Sequence, residues 1–257
     1  MCGRVDIHTP PAQLARALEA QLAAGVDPEG KPSWNVGPTR GLPAIVETDE
    51  HVRVLDVFRW GLVPHWAKDA KTSGLKMINA RAETVATKPA YRSALVRRRC
   101  LIVVDGFYEW FAPDPANPKK VPKVPFYFQR ADGAPITFAG LYETWWDKSR
   151  SADGEPDPET YLQTCVIVTT TAGPDMEAIH NRMPVIIEEA QRERWLDPEA
   201  REIDDVSGLL VPSPAGTLIR HPVSRDVNNV RTDNPNLIDA VDLPADVPGV
   251  QLLLPPA

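Results

Sequence analysis

Cys2 follows the initiator residue in Met1-Cys2-Gly3-Arg4, so removal of Met1 would leave a free α-amine beside its thiol. No other chain position can offer that pair. The excising aminopeptidase accepts only small second residues, and a cysteine followed by glycine should let Met1 go. The unperturbed groups titrate near ~8 (amine) and ~8.5 (thiol), so a modest shift would make either nucleophilic at neutral pH. Two chemistries follow. An aldehyde condenses with the amine to an imine, which the thiol closes to a five-membered thiazolidine. Alternatively, the thiolate attacks an amide with the amine as its base, as N-terminal nucleophile hydrolases do. The default for a second residue is a frayed end, so partners are needed.

Candidate partners lie further along. Glu109, in Gly106-Phe107-Tyr108-Glu109-Trp110, closes a strand whose start, Leu101 to Val104, reads as core; alternation puts Phe107 and Glu109 on one face and Tyr108 and Trp110 on the other. A carboxylate there suits a general acid or base. His180 falls in a loop after a strand ending at Thr169-Thr170-Thr171, a common position for active-site histidines and equally for hydrogen-bonding ones. Asn79 and Arg81 share a side if residues 77–84 are extended, so an amide could orient a substrate oxygen while a guanidinium forks onto a phosphate. The plainer reading is a surface pair of Arg81 and Glu83. Trp34 to Arg40, with Asn35 and Pro38, and Trp60 to Lys68 combine aromatics, turn residues and cations, a mixture that binds single-stranded nucleic acid. Trp60, and by default Trp34, belong to the core; Trp66, near Lys68 and Lys71, is the better stacking residue. Arg97-Arg98-Arg99 is a further cationic cluster or a solvent-facing helix end.

The elements that must position these residues are mainly strands. Cys100 to Trp110 is the clearest β-rich run, with others at 126–130, 136–145 and 161–170. Thr9-Pro10-Pro11, Leu14, Leu18 and Leu22 before Gly25 predict a helix with a threonine cap and a glycine stop. Further helices are expected over 187–196 and from about Asp204. A proline-rich loop (113–125) and a polar stretch (147–159) read as surface excursions. Clustered strands with few helices argue for an α+β fold with a mainly antiparallel or mixed sheet. One domain over residues 1–242 and a Pro-rich tail over 243–257 are expected.

Residues 1–100 carry 15 Lys and Arg against 10 Asp and Glu, so the net charge of −7 hides a basic N-terminal portion. Cys2, Cys100 and Cys165 are an odd number without metal-type spacing to any histidine, so a reducing compartment and no metal are expected. No apolar run spans a bilayer and no secretory signal is visible, so a cytoplasmic protein, without membrane contact, is expected.

Met1-Cys2-Gly3-Arg4, Asn35 to Pro38, Trp60 to Pro64, Asn79 to Glu83, Gly106 to Trp110 and Ile179 to Pro184, in that order, resemble the SOS response-associated peptidase (SRAP) family. The stretches at 147–159 and after 243 match no motif of it. The resemblance implies a compact, barrel-like α+β domain with one positively charged cleft and no cofactor, acting as a monomer. It implies a sensor of abasic sites in single-stranded DNA that crosslinks to them as a thiazolidine. Cys2 would be the nucleophile, Glu109 the proton shuttle, His180 the group that opens and holds the sugar, and Asn79 the orienting residue; Arg4 and Arg81 would bind phosphates. Weak lyase activity and removal of its own initiator residue are implied as well. A glutaminase-like hydrolase and a non-catalytic single-strand reader are the alternatives.

Overall fold

The computed structural model describes residues 2–114, 121–150 and 160–243. Met1, residues 115–120 of the proline-rich loop, 151–159 of the polar stretch and the tail from 244 lie outside the described residues.

Thirteen strands and six α-helices follow one another in the described chain: β1 (Val5–Ile7), α1 (Pro11–Ala17), β2 (Gln21–Leu22), β3 (Ser33–Val36), β4 (Gly41–Glu47), β5 (Arg53–Trp60), α2 (Ala70–Lys76), β6 (Asn79–Arg81), α3 (Ala82–Val85), α4 (Arg92–Arg97), β7 (Arg99–Val104), β8 (Gly106–Phe111), β9 (Val124–Arg130), β10 (Ile136–Trp146), β11 (Tyr161–Thr171), β12 (Arg182–Pro184), α5 (Glu189–Leu196), α6 (Ile203–Ser207) and β13 (Leu218–Pro222). The fold is α+β. Strands β11, β10, β7, β4 and β5 pair in that order and close into a five-stranded barrel where β5 meets β11 in parallel, Arg59 against Thr164 and Trp60 against Cys165. A second sheet has the order β13-β9-β8-β1-β3.

Period-two alternation builds both layers. From β7, Cys100, Ile102 and Val104 join an inner cluster with Phe58, Trp60 and Phe138, which continues onto Val5, Phe107 and Phe128 of the second sheet. Leu101 and Val103 point the other way, into a cluster with Leu14, Leu95 and Trp195 from the helices. All six residues of β7 are buried, and the five after Arg99 form an unbroken apolar run.

The stretch from Cys100 to Trp110, expected as one strand, is two strands in different sheets. Asp105 makes the break: its N–H donates to Asp6 O (3.0 Å), while its carboxylate accepts from Thr9 Oγ1 (2.6 Å) and the N–H groups of His8 and Thr9 (2.7 and 2.8 Å). A Cβ on the following Gly106 would stand 2.3 Å from the Tyr127 hydroxyl, so only glycine fits this corner. Thr9 is therefore taken from its expected capping role, and α1 starts without a side-chain cap. That helix also stops before the predicted Leu22 and Gly25. Ala20 N–H bonds Ala15 O and Glu19 turns left-handed (φ 53°), a Schellman ending without glycine, and Gln21–Leu22 then pairs with β5.

Arg99 is not the solvent-facing cation its neighbours suggest. It is 6% exposed, and its guanidinium donates to Trp195 O (2.6 Å) and Asp197 O (2.5 Å) at the end of α5 and to Leu95 O (2.9 Å) and Val96 O (2.8 Å) in α4. One side chain caps two helix C-termini. Arg99→Met keeps the stem and strips all four bonds, so we expect a loss of roughly 3 kcal/mol, or ~6–12 °C in Tm at this size, by thermal unfolding. Among the described residues no helix is long and apolar enough to cross a membrane.

Candidate active site

β1 lies antiparallel to β8, with Val5 opposite Phe107. The Tyr108 N–H to Arg4 O bond (3.0 Å) carries the pairing one residue past β1, and the Glu109 charge acts on the Cys2 thiol just beyond it. Glu109 is 3% exposed. Its strand face is that of Phe107, which shares a cluster with Cys2; Tyr108 and Trp110 pack with Trp34 on the other.

Cys2 is fully buried. Burial first, and the Glu109 charge second, push its thiol well above the ordinary range. The modest activating shift expected of this thiol is thus replaced by a shift in the opposite direction: it is neutral at pH 7. Asn79 reaches Cys2 from β6, which lies parallel to β11 with Asn79 beside Ile167, and its Nδ2 donates to Cys2 O (2.7 Å).

His180 follows the turns after β11, two residues before β12 begins. The Arg182 N–H donates to its Nδ1 (2.9 Å), which also lies 3.2 Å from Arg182 O; with Nδ1 as acceptor, the proton of the neutral ring would sit on Nε2. Burial lowers its pKa, against the raising effect of Glu109. Glu109 and His180 line one cleft of about 450 Å³ with Trp110, Pro122, Lys123 and Asn228.

Lys123, Asn228 and Arg182 escaped the sequence reading. Lys123 sat in a proline-rich loop that reads as surface. Arg182 donates through Nη2 to Thr169 O (2.6 Å) and forks onto Glu83 across 99 residues, a separation with no local signal. Glu83 is thus hydrogen-bonded to Arg182, with the Arg81 charge acting on it more weakly, and Arg81 stands exposed at the end of β6.

The other expected DNA contacts divide. Trp66 is 54% exposed and Lys68 is exposed, on the loop before α2. Pro38 is half-buried in a turn. Arg4 is half-buried: Nη1 donates to Asn35 Oδ1 and to Val227 O (2.8 Å), and the guanidinium lies 6.0 Å from the Trp110 ring. Asn35, expected at the surface, is 5% exposed, and its Nδ2 serves the carbonyls of Val227 (3.3 Å), Asn229 (3.0 Å) and Thr232 (2.6 Å). Those carbonyls have no strand partner here, so the amide organises the fold in place of a ligand.

Asp6, His8 and Asp105 bring ligand atoms within 4.8 Å of one another, but hydrogen bonds already engage them: Asp6 accepts from Tyr127 Oη (2.7 Å) and contacts His8 Nδ1 (3.0 Å), and Asp105 holds the turn described above. The bond to Asp6, with the charges of Asp6 and Asp105, raises the His8 pKa. Its protonated form is favoured in the fold, so this stabilisation is full below the ordinary histidine value of ~6.5 and lost as pH rises through the raised one. Tm should accordingly fall across that window, and the part due to His8 should vanish in His8→Gln; an unchanged slope contradicts the assignment.

Fold and site define an α+β protein whose second residue is a buried cysteine beside a carboxylate, an amide and a neutral histidine. The profile of the SOS response associated peptidase (SRAP) family matches residues 1–230. The chain belongs to that family. It is 40% identical over 242 residues to the abasic site processing protein YoqW of Bacillus subtilis (strain 168), covering 93% of this chain and 100% of that one. It is 31% identical over 280 residues to the abasic site processing protein HMCES of Gallus gallus, covering 95% and 79%. A crystal structure of a protein from Bacteroides thetaiotaomicron superposes with a TM-score of 0.79 at 23% identity, over 93% of this chain and 100% of that one, a likeness of fold.

Proposed function

We propose that this protein processes abasic sites in single-stranded DNA by forming a thiazolidine between the ring-opened sugar and Cys2, once Met1 is removed. The observation that carries the reading is the seating of Cys2: buried, held by Asn79 and within reach of the Glu109 charge. The relatives named abasic site processing protein agree with it.

In this reading the Cys2 amine attacks the aldehyde carbon, and the carbinolamine loses water to give an imine. The thiol sulfur then adds to the imine carbon while the S–H proton goes to the nitrogen, a transfer Glu109 relays. A neutral thiol suits that order of events. The glutaminase-like alternative, in which the α-amine takes the thiol proton, would instead release ammonia from glutamine. His180, with its Nε2–H, would hold the sugar oxygen; Arg81 and Arg4 would take flanking phosphates. Holding the aldehyde against the aminothiol supplies the proximity free cysteine lacks. We further propose weak lyase action, release of its own Met1, a monomeric state and a cytoplasmic location.

The test is a denaturing gel of the processed protein with an abasic oligonucleotide, followed by intact mass. A covalent product with the summed mass less one water is expected. Absence of any product from protein shown to lack Met1 sinks the proposal.

A further inference from the structure

We infer that the groove between the Trp66 loop and the end of β10 is a second stacking platform, for unpaired bases of the same strand well away from the damaged nucleotide. The inference rests on the abasic-site reading above. His65, Trp66, Lys68, Lys71, Trp146 and Lys148 line a space of about 830 Å³. The Trp66 ring is 54% exposed and meets His65 edge-on at 4.8 Å. Across the groove Lys148 Nζ lies 5.0 Å from the centre of the Trp146 ring.

The walls are built rather than loose. Trp145 Nε1 donates to Ala67 O (2.9 Å), and Val63 N–H donates to Thr164 Oγ1 (3.0 Å), so the loop is fastened to β10 and β11. Charge favours a polyanion. Three lysines, Lys68, Lys71 and Lys148, stand against two carboxylates, Asp69, which caps Thr72 N–H (2.7 Å), and Asp147, which accepts from Ser149 Oγ (2.6 Å), so the lining keeps a net charge of +1. Flat rings with interleaved cations fit bases and phosphates of a single strand.

The position sets the spacing. Trp145 pairs with Leu162 on β11 and Asn79 lies beside Ile167 of the same strand, five residues away. That is ~17 Å along β11 from the amide that holds Cys2, about five nucleotides at a stacked rise of ~3.4 Å.

The experiment compares wild type, Trp146→Leu and Lys148→Gln, using abasic oligonucleotides with arms of one to eight thymidines on either side and matching strands without the lesion. Wild type should bind tighter once one arm reaches about five nucleotides. Trp146→Leu should remove ~10-fold of that gain, and Lys148→Gln should flatten the log Kd against log salt slope by ~0.7. Both should crosslink short-armed substrates at the wild-type rate. Lys148 is exposed, so Lys148→Gln guards against a folding artefact in Trp146→Leu. An affinity indifferent to arm length, or variants indistinguishable from wild type on long arms, overturns the platform. So does polyglutamate binding as tightly as thymidine strands, which would make the groove an acidic-peptide site. If wild type never crosslinks, the abasic-site reading fails instead, and arm-length dependence on undamaged strands still decides the groove.

Discussion

Cys2→Ala is expected to form no covalent product with an abasic single strand, however long the incubation. The variant keeps a terminal amine after Met1 removal, so it still condenses with the aldehyde, but an imine hydrolyses when the gel denatures. Borohydride should therefore trap a product from Cys2→Ala that is invisible without reduction. This separates the roles of amine and thiol, which plain loss of activity would not. Because the side chain is fully buried, alanine also leaves a small void; Tm and binding to undamaged strands should be followed to show that the fold persists. A stable, unreduced adduct from Cys2→Ala would overturn the assignment.

Glu109→Gln should slow adduct formation by ~10²–10⁴-fold, the usual worth of a positioned acid or base. Glutamine preserves shape in a side chain 3% exposed, so binding of undamaged strands should stay near wild type and the loss should fall in the rate at saturation. The charge has a second signature. Glu109 raises the pKa of His180, so its removal should let that pKa fall further and move the His180 limb of the pH–rate profile to lower pH. A wild-type rate, or a slowed rate with an unmoved limb, would reduce Glu109 to a structural residue.

Strands β7 to β11, α5 and α6 were legible because β-branched runs and helix boundaries are local signals, and so was the facing of Glu109, since alternation needs only a strand; β1 to β6, β12 and β13 were not read as strands. The corner at Asp105 was not. It depends on Thr9, His8 and Asp6, nearly a hundred residues earlier, and within an unbroken apolar run nothing marks it except the Asp-Gly step. Arg99 illustrates the same limit: three consecutive arginines look alike until the two helix ends that claim the last are folded around it. In the site, residue types could be read but their state could not. Burial reverses the expected shift of the Cys2 thiol, and burial belongs to the assembled inner cluster, not to Met1-Cys2-Gly3-Arg4.

The bonds from Arg4 to Val227 O and from Asn35 to Thr232 O span 223 and 197 residues. A cleft wall that includes Asn228 is thus fastened to the first strands only when nearly the whole chain is present. At ~5–20 residues per second, those 223 residues take roughly 10–45 s to synthesise. Throughout that interval Arg4 and Asn35 lack the carbonyls they hold in the finished fold. The cleft that Glu109 and His180 line is therefore completed last, by residues made at the far end of the chain.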